Sequence, residues 1–400
     1  MRNVFLCSPL RTPVGKYGGA LSTVRPDDMA ALVLRHIIER NQLDPSVVDD
    51  VVLGCANQAG EDNRNVARMA VLLAGFPHSV PGVTVNRLCA SSLEAIMVAA
   101  RAIRSGEAEL IIAGGVESMS RAPYALPKNV SGRAMFGNLT AYDTALGWRF
   151  PNPAMEKLFP LESMGETAEN VAERYSISRS DQDEYALGSH RRALAAYDDS
   201  FLQEEIIPIP IRDAKGNTIL IERDEGPRSD TTLEKLAALP SAFRKGGTVT
   251  AGNSSSLNDG AGALIVASED AVRRHNLHPL ARYVAGHAAG VDPRYMGIGP
   301  AEAIPGALRK AGLALEQIGL FEINEAFAAQ VLACQRLLGI PLEQLNVHGG
   351  AIAIGHPLGM SGVRIVGTLI RALHRHGVHY GVASLCIGVG QGLAAVVERV

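Results

Sequence analysis

Apolar positions along the chain follow two rhythms. Short apolar runs read as strands: Val4–Cys7, Val51-Val52-Leu53, Ala263-Leu264-Ile265-Val266 and Val382-Ala383-Ser384-Leu385. Other stretches carry their apolar residues on one helical face, as Leu93, Ile96, Met97 and Ala100 do. Two more helices are expected, one from about Glu166 to Arg174 and one from after Ser178 through Arg192 to Ala196. Ser178 with Asp181 three residues on forms a capping box for the second. Strands alternating with helices predict an α/β fold.

The pattern also repeats. Shifted by 270 positions, Leu43 falls on Leu313, Val48 on Ile318, Val51 on Phe321 and Leu53 on Ile323. At the same offset Asn86-Arg87-Leu88-Cys89 meets His356-Pro357-Leu358-Gly359, and Ile112-Ala113 meets Val382-Ala383. The register does not slip from Leu43 to Ala113, which implies two like halves rather than a shared apolar rhythm. We divide the chain into an N-terminal half (1–119 with 246–270), an insertion (120–245) and a C-terminal half (271–400). The insertion is polar and turn-rich, as at Asp224-Glu225-Gly226-Pro227, and reads as a lid or ligand-binding element. The α/β pattern resumes at Thr248.

Composition narrows the function classes. With 400 residues, 47% of them hydrophobic, the chain can bury a large core unaided. Its 38 Lys+Arg and 41 Asp+Glu nearly cancel, so no bulk field favours nucleic acid or an anionic membrane. The first apolar run is too short for a signal-peptide core, and no run approaches a membrane span. The C-terminus, Glu398-Arg399-Val400, carries no targeting tripeptide. Five cysteines without a CxxC pair (Cys7, Cys55, Cys89, Cys334, Cys386) argue against a zinc knuckle or a disulfide framework. A reducing compartment, the cytoplasm, is expected.

Five segments are rich in candidate chemistry. Cys89 lies where an apolar run turns into a helical pattern, so it reads either as a thiol lowered by a helix N-terminus or as an ordinary buried cysteine. His356 sits in the glycine-rich stretch Asn346–Gly362, at the repeat equivalent of Asn86; two facing helix starts would make it a base for Cys89. Cys386 is delivered by a strand into Gly388-Val389-Gly390-Gln391-Gly392, whose backbone N–H groups suit an oxyanion site. That glycine run opens no helix, so it is no dinucleotide fingerprint. Asn324 and Glu325 follow a strand, where either a site residue or a helix N-cap would stand. The small polar run Gly247–Gly260 reads as ligand contacts or a plain loop.

Together these segments, with Arg11-Thr12-Pro13-Val14-Gly15 and Gly114-Gly115-Val116-Glu117-Ser118-Met119-Ser120, resemble the thiolase family over essentially the whole chain. The resemblance implies a five-layer αβαβα fold with two duplicated halves and an inserted loop domain. It implies ping-pong acyl transfer, with Cys89 as nucleophile, His356 as its base and Cys386 as the acid/base on the second carbon. Asn324 holds a water that, with His356, faces the enolate; the N–H groups of Cys89 and Gly388 face the tetrahedral intermediate. Ser255 matches a position on the pantetheine arm. Met164, Met296 and Phe327 match pocket positions, or are ordinary core. No metal or resident cofactor is implied; acyl-CoA and CoA are the partners, with neither nucleic acid nor membrane, and a homodimer or homotetramer is expected.

Within the family, Gly147-Trp148-Arg149-Phe150, Asp143-Thr144 and Gly359-Met360-Ser361-Gly362 are similar to the branch acting on 3-oxoadipyl-CoA in aromatic degradation. A general 3-ketoacyl-CoA thiolase or an acetoacetyl-CoA thiolase is the alternative. A dicarboxylic substrate asks for a cation at the pocket end, and Arg149 is the candidate. Ser92 and Ser256 stand where the family usually has Gly, and would be strained if positive φ were needed. His348 replaces a common Asn, and Ser163 replaces a His of the simple biosynthetic members.

Overall fold

The computed structural model describes residues 2–128, 138–212 and 215–400. The first set of elements is β1 (Val4–Arg11), α1 (Pro26–Asn41), β2 (Asp50–Gly54), α2 (Val66–Leu73), β3 (Val83–Val85), α3 (Ser91–Ser105) and β4 (Leu110–Ser118). An excursion holding α4 (Met164–Arg174) and α5 (Arg179–Asp198) leads back through β5 (Asn258–Ser268). The second set is β6 (Pro279–Gly290), α6 (Gly299–Ala311), β7 (Leu320–Ile323), α7 (Ala328–Leu338), α8 (Ser361–Arg375), β8 (Tyr380–Ile387) and β9 (Gln391–Arg399). The 270-residue offset is kept in space: α3 and α8 begin at 91 and 361, β4 and β8 at 110 and 380.

The main strands follow one hydrogen-bonded path, β7-β8-β9-β6-β1-β5-β4-β2-β3. The two sub-sheets join where β1 pairs antiparallel with β6, Phe5 opposite Arg282 and Leu6 opposite Ala281. Three apolar cores separate the layers. One packs α1 and α2 on the outer face of the first sub-sheet, and one packs α6 and α7 on the outer face of the second. The third surrounds α3 and α8, which lie between the sub-sheets. Because both faces of the sheet are covered, β4 and β5 are buried at every residue, and their sequences are apolar runs rather than alternations.

The middle layer fits only because of glycine. A Cβ on Gly115 would lie 2.0 Å from the Gly359 carbonyl oxygen. One on Gly54 would lie 2.3 Å from the Ser91 carbonyl carbon, and one on Gly362 2.3 Å from the Leu93 nitrogen. Ser92 is no strained substitute for glycine: it is helical within α3, and its Oγ accepts the Val363 N–H at 2.9 Å. Ser256 also has ordinary φ, and its hydroxyl donates to Asn258 Oδ1 at 3.0 Å.

Both helices expected in the excursion are present. The first starts earlier than expected, at Met164, because Ser163 and Glu166 form a capping box; the Ser178–Asp181 box opens the second. The sheet resumes later than expected, at Asn258 rather than Thr248. Asp224, in the polar turn-rich segment, is not at the surface. It is buried and receives the Arg11 fork at 2.6 and 2.9 Å, while Arg11 Nε donates to buried Glu205 at 2.6 Å. The Tyr197 hydroxyl donates to Asp224 at 2.7 Å, so a buried ion pair ties the excursion to β1.

Gly115→Ala should lower stability by about 1–3 kcal/mol through overpacking against a backbone oxygen that has nowhere to go. Thermal or denaturant unfolding checks this, and an unchanged midpoint would refute the glycine argument.

Candidate active site

Cys89 sits in a short turn, Leu88–Ala90, directly before α3. Serine braces the turn: the Ser91 hydroxyl donates to the Leu88 carbonyl at 2.6 Å and accepts the Arg87 N–H at 2.9 Å. The thiol is half-buried and lies at the N-terminal end of the helix, where the sequence places it. Its ionisation departs from that reading. Burial pushes the thiol up to about 11, outweighing the N–H groups of Gly388 and of Cys89 itself, which pull it down; buried Glu117 adds to the rise. Desolvation of the charge exceeds what a helix end returns, so the resting group is a thiol that needs a base.

His356 precedes α8 as Cys89 precedes α3. Its N–H donates to Asn258 Oδ1 at 2.8 Å, and Asn258 in turn donates to the Gly15 carbonyl at 2.9 Å. Its Nδ1 lies 2.6 Å from Ser361 Oγ, and that hydroxyl donates its one proton to the Pro357 carbonyl at 2.8 Å. The proton between His356 and Ser361 therefore belongs to Nδ1, and Nε2 carries a lone pair, toward which Asn324 Nδ2 donates at 3.3 Å. Burial, helped by the Arg364 guanidinium, depresses the imidazole to about 3. The group is neutral at physiological pH, in the tautomer that accepts a proton at Nε2.

Asn324 is buried and continues the parallel ladder, its N–H donating to the Ser384 carbonyl at 2.9 Å. It is no N-cap, since α7 begins after Phe327. Its Nδ2 lies 3.3 Å from His356 Nε2. Cys386, near the end of β8, is fully buried; burial and the neighbouring Cys89 and Cys334 thiols hold its thiol well above the usual range, so it keeps its proton. Gly388 opens the β8–β9 turn, and a Cβ there would face only Leu88 and Met164, at 3.4 and 3.5 Å.

Met296 and Phe327 share one buried cluster with Cys386, and Met164 packs against it. Ser255 lies alongside, its N–H donating to the Ala326 carbonyl at 2.9 Å. Arg149 is held by hydrogen bonds of its own. Its guanidinium donates to Asn57 Oδ1 at 2.6 Å and to the Asn57 and Thr144 carbonyls at 2.9 and 3.2 Å. Cys7, Cys55 and Cys334 are buried.

Sequence reasoning passed over three supports. Ser361 fixes the His356 tautomer, and its place at a helix start five residues on was the available signal. Asn258 holds the His356 backbone from across the sheet. Glu117 accepts N–H bonds from Ala56 at 3.0 Å, Asn57 at 3.1 Å and Gly359 at 2.8 Å, pinning the loops beside both helix starts. Burial raises its carboxyl to about 7.

A thiol at one helix start and a neutral imidazole before its pseudo-symmetric mate are groups of the kind that acyl transfer through a cysteine employs. Comparison with known proteins agrees. The model of the thiolase N-terminal domain matches residues 4–270, and that of the C-terminal domain matches residues 277–399. The chain belongs to the thiolase family of acyltransferases. Over the full length of both chains it is 55% identical to the beta-ketoadipyl-CoA thiolase of Pseudomonas aeruginosa. It is 53% identical, again over both full lengths, to the 3-oxoadipyl-CoA/3-oxo-5,6-dehydrosuberyl-CoA thiolase of Escherichia coli. The crystal structure of human mitochondrial 3-ketoacyl-CoA thiolase superposes with a TM-score of 0.93 at 42% identity, covering 100% of this chain and 99% of that one.

Ser361→Ala should leave Nδ1–H unpaired in a buried site, a loss of about 1–3 kcal/mol that corresponds to roughly 5–150-fold in kcat. KM should hold within about twofold, since no substrate contact is removed. Steady-state kinetics decide; an unchanged kcat would reject the tautomer argument.

Proposed function

We propose that the chain cleaves 3-oxoadipyl-CoA with CoA to succinyl-CoA and acetyl-CoA, through an acyl-enzyme on Cys89. The observation that carries the chemistry is a thiol that burial keeps protonated under two backbone N–H groups, with a neutral imidazole whose Nε2 carries the lone pair. The substrate rests on full-length likeness to relatives bearing that name.

Cys89 Sγ attacks the 3-keto carbon while its proton passes to His356 Nε2. The alkoxide is received by the N–H groups of Cys89 and Gly388. The bond between the second and third carbons breaks, and the electron pair becomes the enolate of acetyl-CoA, faced by His356 Nε2–H and the Asn324 side. Cys386 gives its proton to that carbon, a task suited to a thiol that burial keeps protonated. The CoA thiol then attacks the acyl group. Its proton restores Cys386, and His356 returns its own to the departing Cys89 sulfur. Ser255 contacts the pantetheine arm, and Met164, Met296 and Phe327 line the acyl end. The acid, base and carrier are all side chains of the protein, and CoA serves as substrate rather than resident cofactor. A homodimer or homotetramer in the cytoplasm completes the reading.

One observation favours a second reading, a general 3-ketoacyl-CoA thiolase. The pocket cluster is apolar, and Arg149, the cation proposed for a distal carboxylate, is bound to Asn57 and Thr144 instead. Measured kcat/KM should be highest for 3-oxoadipyl-CoA, ahead of acetoacetyl-CoA and a medium-chain 3-oxoacyl-CoA. Equal or lower values for the dicarboxylate would favour the second reading.

Incubation with acetyl-CoA should place the acyl adduct on Cys89 by peptide mass spectrometry, with none after Cys89→Ala. An adduct on Cys386 would reverse the two roles.

A further inference from the structure

Behind His356 lies a buried polar group that the acyl transfer above does not use. Glu322 and Asn324 are two residues apart and so share one face of β7 and its continuation, the face that α8 covers. Arg364 reaches this face from α8, one turn beyond Ser361. Arg364 Nη1 lies 3.9 Å from Glu322 Oε2, beyond hydrogen-bond length, with both side chains almost wholly buried. Among the described residues, both Glu322 carboxylate oxygens, Arg364 Nε and Nη1, and Asn324 Oδ1 have no hydrogen-bond partner. So many unpaired atoms on one face would each forfeit their hydration without return. A charged pair a little too far apart for contact is the usual geometry of a water bridge.

The consequence falls on Asn324. An amide is nearly symmetric in shape, and only its partners decide which end faces which way. Its Nδ2 lies 3.3 Å from His356 Nε2, and its Oδ1, on the strand face that also carries Glu322, is buried and has no partner among the described residues. We propose that Glu322 and Arg364 are positioning residues, holding ordered water that donates to Asn324 Oδ1 and thereby locks the Asn324 Nδ2 donor toward the enolate side of the site. This rests on the acyl-transfer reading above. The charged groups around Glu322 are Arg364 and Arg192, with Glu325 and Glu205 as like charges, and burial carries its carboxyl up to about 8. Water bridging supplies hydrogen bonds to an acid and a guanidinium that are both buried and not in contact.

The two halves of the reaction separate this role from a merely structural one. Only carbon–carbon chemistry needs the enolate side; acyl exchange between Cys89 and CoA does not. In Glu322→Gln, exchange of the acetyl-CoA methyl hydrogens with deuterated water should fall at least about tenfold, short of the ~10²–10³ expected for deleting an oxyanion donor outright. Exchange of isotopically labelled CoA into acetyl-CoA should stay within about twofold. Equal losses in both exchanges, or no loss in either, would overturn the proposal. Failure of the wild-type protein to exchange labelled CoA would instead overturn the acyl-enzyme reading. Should Glu322→Gln fail to fold, a high-resolution crystal structure of the wild-type protein decides. Water bonded to both Asn324 Oδ1 and the Glu322–Arg364 pair supports the proposal; a protein donor or a dry contact at Oδ1 refutes it.

Discussion

The close crossing of α3 and α8 is the contact on which the site depends. Cys89 and His356 are more than 260 residues apart in sequence, and each stands just before the first turn of its helix. Their two helices approach closely because the helix starts and adjoining loops meet backbone to backbone. Gly54, Gly115, Gly359 and Gly362 each occupy a place where a single methyl would collide with a main-chain atom. Glycine's entropic cost in the unfolded chain is accepted there in exchange for approach distance. Glu117 then reinforces the meeting point with three backbone N–H bonds, one from the loop before α8 and two from the loop after β2.

Bringing the groups together also dries them, and dryness sets the protonation states. Removing a thiolate from water costs more than the nearby N–H groups return, and removing an imidazolium costs more than any neighbour repays. Both groups rest neutral. A pre-formed thiolate–imidazolium pair would place two charges in a low-dielectric site before substrate arrives. A neutral pair creates charge only as the alkoxide develops, when fixed donors already face it. The Ser361 hydroxyl serves the same end, since it settles which imidazole nitrogen is free.

Much of this was legible in the chain. The unslipping 270-residue offset revealed the duplication, and the same offset aligned His356 with Asn86 and hence the two helix starts. What escaped has identifiable causes. The sign of the Cys89 shift depends on how deeply a turn is buried, which periodicity does not encode. Arg149 was offered as the cation at the pocket end because sequence shows charge but not the carbonyls that come to meet it. Asp224 was read only as part of a polar turn because its partner, Arg11, is more than 200 residues away. The edge pairing of β1 with β6 is invisible for the same reason, since both strands look complete within their own halves.

Duplication also explains why this polar group lies behind β7 and has no counterpart behind β2. At the offset of 270, Val52, Leu53 and Gly54 of β2 correspond to Glu322, Ile323 and Asn324. In the first copy the face toward the middle helices carries a valine and a glycine, and the Ser91 backbone packs directly on it. In the second copy the same face carries a carboxylate and an amide, and α8 brings a guanidinium to it. The two positions cannot be interchanged. An amide at position 54 would collide with α3 and push Cys89 away from the Gly388 N–H. A glycine at position 324 would remove the donor that faces His356. Each half has thus kept one requirement of a reaction that neither can perform alone: close packing beneath the nucleophile, and a polar chamber behind the base.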